Sequence, residues 1–381
     1  MVDFTLSEDQ EAIRDTALEF AREKLAPSAL RWDEEKHFPV AELRELAQLG
    51  MAGIYVGEDA GGSGLSRLDA VLIFEALSTG DPTTAAYLSI HNMAAWMIDR
   101  FGSDEQRGRL LPPMMSMDVL SSYCLTEPNA GSDAAALRTQ AVRDGGDYVL
   151  TGQKQFISGG GNPDGFYVVM ARTGEAGPGG VSTFAVPGDA PGLSFGANEK
   201  KMGWNAQPTR AVTFDGCRVP ERDRIGPEGI GFKIAMAGLD GGRLNIAACS
   251  LGGAQAALDK ALAYMRERRA FGKNLTEFQA LQFRLADMAT ELEVSRTFLW
   301  RAATALDSKA PNATQLCAMA KRFVTDTCSK IADEALQLHG GYGYLHDYGV
   351  EKIVRDLRVH RILEGTNEIM RVIIARGLVG R

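Results

Sequence analysis

The amino-acid sequence predicts a mostly helical α+β protein in which a β domain lies between two helical domains. Apolar residues recur at helical spacing, behind helix-capping residues, in the first 117 residues and again from about residue 223. Between these regions, short β-prone segments alternate with turns rich in Gly, Pro, Asn and Asp. We therefore expect an N-terminal helical domain at 1–117, a β-barrel or β-sandwich at 118–222 and a C-terminal four-helix bundle at 223–381.

Four helix-start signals mark the N-terminal domain. Ser7-x-x-Gln10, Ser66-x-x-Asp69 and Ser103-x-x-Gln106 have the form of capping boxes, in which side chain and backbone at a helix start bond reciprocally. Asp81-Pro82 places a capping carboxylate before a proline at the first helical position. We expect the helix after Ser103 to end before Pro112-Pro113, since proline lacks the N–H that a helix interior requires.

The remaining elements follow from periodicity and turn residues. β-branched and aromatic residues between turn clusters predict strands at about 120–125, 148–151, 166–172, 182–186 and 211–214. Apolar spacing typical of helices predicts long helices at about 232–268, 277–307, 312–337 and 366–376.

Composition excludes several classes of protein. The 381 residues are 45% hydrophobic and 24% charged, with a formal net charge of −8, which argues against nucleic-acid or anionic-membrane binding. No apolar run reaches the length of a membrane span, and the start of the chain does not resemble a signal peptide. We expect a bacterial cytoplasmic protein, or a mitochondrial-matrix protein if it is a processed form. The five cysteines and five histidines are dispersed, which predicts reduced thiols and no metal site.

Three segments carry the chemical signal, because the chain contains no G-x-G-x-x-G motif for a Rossmann dinucleotide site. Leu125-Thr-Glu-Pro-Asn-Ala-Gly-Ser-Asp133 follows a predicted strand, and its residue types also suit an ordinary turn. Gln337-Leu-His-Gly-Gly-Tyr-Gly-Tyr-Leu-His-Asp347 follows a helix, where glycines permit close backbone approach to a phosphate or a helix cap. Ile362-Leu-Glu-Gly-Thr-Asn-Glu-Ile-Met370 places an acidic residue between apolar residues and a Gly-Thr turn.

Taken together, these segments resemble the signatures and catalytic turn of the acyl-CoA dehydrogenase family. The resemblance covers essentially the whole chain and implies FAD bound between the β domain and the C-terminal bundle, with a neighbouring subunit completing the site. It implies flavin contacts from Tyr123, Leu125, Thr126, Ser132, Phe156, Ile157 and Ser158. It implies contacts to the rest of FAD from Arg268, Phe271, Gln279, Gln337, Leu338, His339, Gly340, Gly341, Thr366, Asn367 and Glu368.

The resemblance also implies the reaction. Glu364 would remove the α proton of an acyl thioester, while flavin N5 accepts the β hydrogen as hydride. Apolar neighbours should desolvate this carboxyl group and raise its pKa. The substrate contacts would come from Ser132, Asp240, Gly241, Gly242, Arg243 and Arg376. There are alternatives to these roles, which a structure can test. Glu364 could be a loop residue that faces water, and Arg243 and Arg376 could be ordinary solvated helix charges.

Two segments, 203–210 and 239–251, resemble the branch of the family that acts on isobutyryl-CoA, so a short branched acyl group is expected. Gly241 and Gly242 could leave lateral room for its α-methyl group, or only permit close helix packing. A short straight-chain or 2-methylbutyryl substrate is the nearest alternative, in valine or fatty-acid breakdown.

The resemblance implies electron-transfer flavoprotein as the electron acceptor and a homotetramer built as a dimer of dimers. Three other functions are compatible with such a fold: a catalytically silent acyl-CoA-binding protein, an acyl-CoA oxidase and a flavin monooxygenase. The glutamate at position 364 argues against the first and the third. Oxidases usually have an additional C-terminal domain, and this chain ends shortly after the last predicted helix.

Overall fold

The N-terminal part of the protein is helical, as predicted. The structure is a computed structural model that describes residues 4–380, so 1–3 and 381, at the outer ends of the first and last predicted domains, lie outside the described residues. All four predicted helix starts are confirmed, with three capping boxes and an Asp81 carboxylate that accepts from the Thr84 N–H at 3.0 Å. The helices are α1 Glu8–Phe20, α2 Ala29–Glu35, α3 Val40–Gln48, α4 Arg67–Ser78, α5 Pro82–Phe101 and α6 Asp104–Met115.

The predicted end of α6 is wrong, because Pro112 and Pro113 lie inside this helix. Each proline lacks the N–H that would donate to the carbonyl group four residues earlier, so the last turns form without these two intrahelical bonds. Their carbonyl groups still accept, from the N–H groups of Ser116 at 3.2 Å and Val119 at 2.9 Å. Burial of Leu110, Leu111 and Met114 holds the helix in the core.

The middle domain is one eight-stranded sheet, mostly antiparallel. Its strands are β1 Ser121–Cys124, β2 Gln140–Asp144, β3 Asp147–Ser158, β4 Phe166–Arg172, β5 Val181–Pro187, β6 Leu193–Phe195, β7 Thr209–Pro220 and β8 Arg224–Ile225. They run in the order β6-β7-β3-β2-β4-β5-β8, and β1 pairs in parallel with β4. The sequence did not predict β2, β6 and β8. These strands are short or largely exposed, so no apolar alternation marks them, and pairing with longer strands defines them.

Strand β4 is buried on both faces and joins the sheet to the helices. Tyr167 and Val169 face a core that the sheet forms with its own residues. Val168 and Met170 face the opposite way, into a core shared with α5, α6 and α7. The β domain is therefore packed against the helices through a strand with no solvent face.

The C-terminal part is an antiparallel helical domain. It contains α7 Gly231–Glu267, a short hairpin of β9 Arg269–Ala270 and β10 Lys273–Asn274, and then α8 Gln279–Asp307, α9 Ala313–Leu338, α10 Val350–His360 and α11 Asn367–Val379. Helix α10 was not predicted. Its inner face buries polar residues at positions 352, 356 and 360 beside apolar ones, so the apolar period is interrupted. Among the helices of 4–380, none has the length and apolar character that crossing a membrane requires.

A buried ionic cluster connects all three parts of the chain. Lys352 Nζ donates to Asp81 at 2.7 Å and to Asp356 at 2.6 Å, and the backbone N–H of Trp204 donates to Asp356 at 2.7 Å. Burial raises the pKa of Asp356, which the Lys352 ammonium opposes. Because Asp81 caps α5, Trp204 belongs to the β domain and Lys352 lies on α10, one cluster fixes their relative positions.

We predict that Lys352→Met will destabilise the folded protein by about 3–5 kcal/mol, because it leaves two carboxylates facing each other away from water. The free energy of unfolding in urea, followed by circular dichroism, measures the effect. Lys330→Met, at an exposed position of α9, is the matched control and should change this free energy by less than about 0.5 kcal/mol. Equal stability of the two variants would contradict the role assigned to the cluster.

Candidate active site

Glu364 lies in a tight turn between α10 and α11. Its backbone has φ +54°, a left-handed conformation that costs a non-glycine residue about 1–3 kcal/mol, and Gly365 follows with φ +89°. Lys321 of α9 holds the turn by donating to the carbonyl oxygen of Gly365 at 2.8 Å and to Asn367 Oδ1 at 3.0 Å. Thr366 then caps α11 with its hydroxyl oxygen. The turn is thus held by a buried cation and points Glu364 inward.

The Glu364 residue is half-buried, and at least one oxygen of its carboxyl group is desolvated. Its Oε2 atom is buried and has no hydrogen-bond partner within the described chain. Burial raises the pKa of Glu364 to about 7, although the nearby charges of Lys321 and Arg243 act to lower it. The carboxyl group rests on α7 at Gly242, where a methyl group would lie 2.9 Å from Glu364 Cδ. The alternative of a water-facing glutamate is therefore wrong.

Two further buried polar atoms lack a hydrogen-bond partner, one on Arg243 and one on Tyr123. Both residues interact electrostatically with Glu364. Arg243 is 4% exposed and donates from Nη1 to Asp240 at 2.6 Å, but its Nε has no partner in the described chain. The buried Tyr123 hydroxyl also has none; burial, and then the Glu364 charge, raise its pKa. Asp240 is held from its other side by the hydroxyl of Thr314 at 2.6 Å. Buried donors and acceptors of this kind need a partner, which a polar ligand can supply. The alternative of a solvated Arg243 is wrong.

The segments predicted to contact the flavin ring converge through Lys154. Its ammonium is buried and donates to the carbonyl oxygen of Leu125 at 3.1 Å and to Glu127 at 2.8 Å, which ties β3 to the end of β1. Phe156 has φ +59° and is 64% exposed, so it presents an aromatic ring at the surface. The predicted residues brought together here are Tyr123, Leu125, Thr126, Phe156, Ile157 and Ser158.

A second group of predicted residues lines a cavity of about 510 Å³ where α7 and α9 end. The Arg268 guanidinium lies 5.4 Å from the ring centre of Tyr342, and the buried His339 ring stacks on Tyr264 at 4.7 Å. A side chain at Gly341 would meet nothing within 4 Å, so the backbone there is open to a ligand. The predicted residues that line the cavity are Arg268, Gln337, Leu338, His339, Gly340 and Gly341.

The second group lies far from Glu364 within one chain. From Gly242, which packs against the Glu364 carboxyl group, to Arg268, α7 advances 26 residues, which is about 39 Å at 1.5 Å per residue. That a neighbouring subunit completes the FAD site is compatible with this separation and stays a prediction. Phe271 is 95% exposed and Gln279 is exposed near the second group, where another subunit could cover them.

The other predicted residues vary in their surroundings. Ser132, Glu368 and Arg376 are exposed, and Thr366 is half-buried. The side chain of Asn367, a residue predicted to bind the cofactor, is committed to the protein, so a cofactor contact from its backbone stays a prediction. That side chain is buried and bonds to Lys321, Thr325 and Asp326, because it anchors the start of α11.

Gly241 and Gly242 of α7 do not border open space. A methyl group on Gly242 would overlap the Glu364 carboxyl group, and one on Gly241 would overlap the Arg67 guanidinium. Any contribution of these glycines to a wide acyl pocket therefore acts through those side chains and stays a prediction. Sequence reasoning missed Arg67, Lys154 and Lys321, since isolated basic residues in apolar segments form no local motif.

The arrangement of the helical and β parts around a buried glutamate, with exposed aromatic and glycine positions for a large ligand, defines a flavin-dependent dehydrogenase. Models of the acyl-CoA dehydrogenase N-terminal, middle and C-terminal domains match residues 7–118, 122–217 and 229–379. The chain belongs to the acyl-CoA dehydrogenase family and is an FAD-dependent oxidoreductase.

Individual relatives are similar over nearly the full length. Mitochondrial isobutyryl-CoA dehydrogenase of Bos taurus is 56% identical over 374 residues, covering 98% of this chain and 90% of the relative. Butyryl-CoA dehydrogenase of Megasphaera elsdenii superposes with a TM-score of 0.96 at 37% identity, covering 99% of this chain and 100% of that one. A chain from the structure described as the electron transferring flavoprotein of Acidaminococcus fermentans gives 0.97 at 40% identity, with both chains covered completely.

We predict that Gly242→Ala will lower turnover at least tenfold without lowering the melting temperature. Alanine favours a helix interior by up to about 1 kcal/mol, whereas its methyl group would displace the Glu364 carboxyl group from its position. Turnover of an acyl-CoA and thermal unfolding are measured on the same preparations. Gly108→Ala in α6, where an added methyl meets nothing within 4 Å, is the control for helix propensity alone. Full activity in Gly242→Ala would show that the carboxyl group tolerates displacement.

Proposed function

We propose that the protein dehydrogenates short branched acyl-CoA thioesters between Cα and Cβ, with isobutyryl-CoA as the best substrate and Glu364 as the base. The observation that carries the proposal is the desolvated Glu364 carboxyl group, whose pKa is raised to about 7 by burial. An α C–H next to a thioester is weakly acidic, so its removal needs a positioned base with a pKa near the working pH. The 56% identity to bovine isobutyryl-CoA dehydrogenase supports the branched substrate.

The Glu364 turn offers one group to stabilise charge on the thioester oxygen and another to accept the α proton. The backbone N–H of Glu364 makes no hydrogen bond within the described chain, so it is available to the thioester oxygen, where negative charge develops. The carboxylate is held against Gly242 and between the positive charges of Lys321 and Arg243, which limits its motion. When bound, FAD accepts the β hydrogen as a hydride. In this proposal the chain holds the base and the acyl group in register and excludes water from them.

The residues predicted to contact FAD suit a large, partly apolar and doubly charged ligand. Exposed Phe156 provides an aromatic surface for a flavin ring, and the cavity that contains Arg268 offers a cation and open glycine backbone for phosphates. Because about 39 Å of α7 separates Gly242, beside Glu364, from Arg268, we propose that each FAD is held by two subunits, within a dimer of dimers.

We also propose electron-transfer flavoprotein as the electron acceptor. The similar chain from the structure described as the electron transferring flavoprotein of Acidaminococcus fermentans supports this partner. The reaction belongs to branched-chain amino-acid breakdown, with valine as the source of an isobutyryl group, or to the breakdown of short fatty acids. A silent acyl-CoA-binding function is less consistent with a strained, desolvated carboxyl group, since binding alone does not require one.

We predict that Glu364→Gln will keep its FAD but lower kcat by about 10²–10⁴-fold, because the amide cannot accept the α proton. In the wild type, kcat/KM should rise with pH through about 7, since the base must be deprotonated and its pKa is raised to that value. Anaerobic flavin bleaching by isobutyryl-CoA, followed over a pH series, measures both effects.

The control for this experiment is Glu291→Gln, an exposed glutamate on α8, which should retain the wild-type rate and pH profile. A Glu364→Gln variant that reduces its flavin at the wild-type rate would show that another residue is the base.

We predict that kcat/KM will be highest for isobutyryl-CoA, followed by 2-methylbutyryl-CoA and then butyryl-CoA. One methylene of misfit in an apolar pocket changes kcat/KM by about 10–200-fold, which sets the expected range. Assays with an artificial electron acceptor on this panel, with octanoyl-CoA included, give the ranking. If butyryl- or octanoyl-CoA ranks first, the branched substrate is wrong, while the dehydrogenase assignment stands.

A further inference from the structure

Arg67, at the start of α4, is a buried cation that the proposed reaction does not use. It is 9% exposed, and its guanidinium lies over the ring of Tyr55 at 3.6 Å and near the ring of Trp96 at 4.9 Å. Within the described chain it makes no ion pair closer than 4.0 Å. Its backbone N–H donates to Asp307 at 2.8 Å. The guanidinium is therefore held mainly by aromatic rings and is not neutralised by a carboxylate.

The guanidinium meets α7 at the residue next to the catalytic contact. A methyl group on Gly241 would lie 2.9 Å from Arg67 Cζ, just as one on Gly242 would lie 2.9 Å from Glu364 Cδ. Adjacent Cα atoms are about 3.8 Å apart, so the two side-chain carbons are separated by no more than about 13 Å. The carboxyl group and the guanidinium thus lie along one short stretch of the same helix.

Tyr55 lies against Arg67 and is anchored to the same helix, α7. Its hydroxyl accepts from Asn245 Nδ2 at 3.1 Å, one helical turn beyond Gly241 on α7. Burial raises the pKa of Tyr55 most, Glu364 raises it further and Arg67 lowers it, which places its ring within electrostatic reach of both. An acyl chain whose Cα meets Glu364 and which extends along α7 towards Gly241 would therefore approach Arg67 and the Tyr55 ring stacked on it.

We propose that Arg67, stacked on Tyr55 and Trp96, closes the far end of the acyl site and limits the length of the acyl group. This inference rests on the proposed function, and it names the residue that selects short chains. An apolar acyl chain cannot replace the cation–π contacts with Tyr55 and Trp96 that the guanidinium would lose on moving. Arg67 therefore forms a rigid end wall. A short branched group extends sideways near Glu364 and does not reach that wall.

The test compares chain-length selectivity in Arg67→Met and the wild type. Methionine is flexible and uncharged, so it fills part of the space and yields to a longer chain. The ratio of kcat/KM for hexanoyl-CoA to that for isobutyryl-CoA should rise at least about tenfold. Arg296→Met is the matched control, because it removes another part-buried arginine, paired with Glu75 of α4, away from Gly241. Its ratio should equal that of the wild type.

If Arg67→Met does not fold with FAD bound, the same kcat/KM ratio is measured for Arg67→Lys. It keeps the charge but loses the planar stack, so the ratio should rise by a smaller factor. An unchanged ratio in whichever of these variants retains FAD would overturn the inference. Glutaryl-CoA binding by the wild type that disappears in the variant would also overturn it, in favour of a carboxylate site at Arg67. A wild type that prefers hexanoyl-CoA would instead contradict the proposed substrate, independently of Arg67.

Discussion

The ammonium group of Lys352, shared by two buried carboxylates, is the interaction on which the arrangement of the protein depends. Asp81 begins α5, Asp356 receives the Trp204 N–H from the β domain, and Lys352 and Asp356 belong to α10. A buried ion pair contributes little net stability compared with apolar packing, but a missing partner is strongly unfavourable. The cluster therefore favours one relative position of three parts that apolar contacts alone would specify less sharply.

Contacts at the end of α10 determine where the proposed base lies. At the end of α10, the Trp204 indole N–H donates to His360 Nε2 at 3.2 Å, so Nδ1 carries the proton that bonds Ser250 at 2.8 Å. Burial lowers the pKa of His360 to about 3, which keeps this ring neutral. Glu364 follows four residues later, in a turn where Lys321 donates to the carbonyl oxygen of Gly365. Its strained backbone is thus supported from the β domain, α7 and α9.

Helix α7 accommodates two charged groups because Gly241 and Gly242 have no side chains. Glycines at 241 and 242 let a guanidinium and a carboxyl group approach its backbone side by side, where larger side chains would exclude them. The carboxyl group gains a raised pKa from desolvation, while Lys321 and Arg243 keep it from rising further. The far end of α7 carries the second group of predicted cofactor residues, about 39 Å from Gly242, and this separation is the reason we propose that two subunits hold each FAD.

Local sequence determined the features whose partners are near in the chain. The three capping boxes and the Asp81 cap depend on partners three residues away, the long helices show an apolar period, and three short segments together carried the family resemblance. Only the tertiary structure decided the rest. It revealed α10, turned Asn367 inward, and brought Arg67 and Lys321 to the site through contacts between residues distant in the chain. Such contacts leave no periodic or local pattern, because the free energy of a buried charge depends on partners that only folding brings within reach.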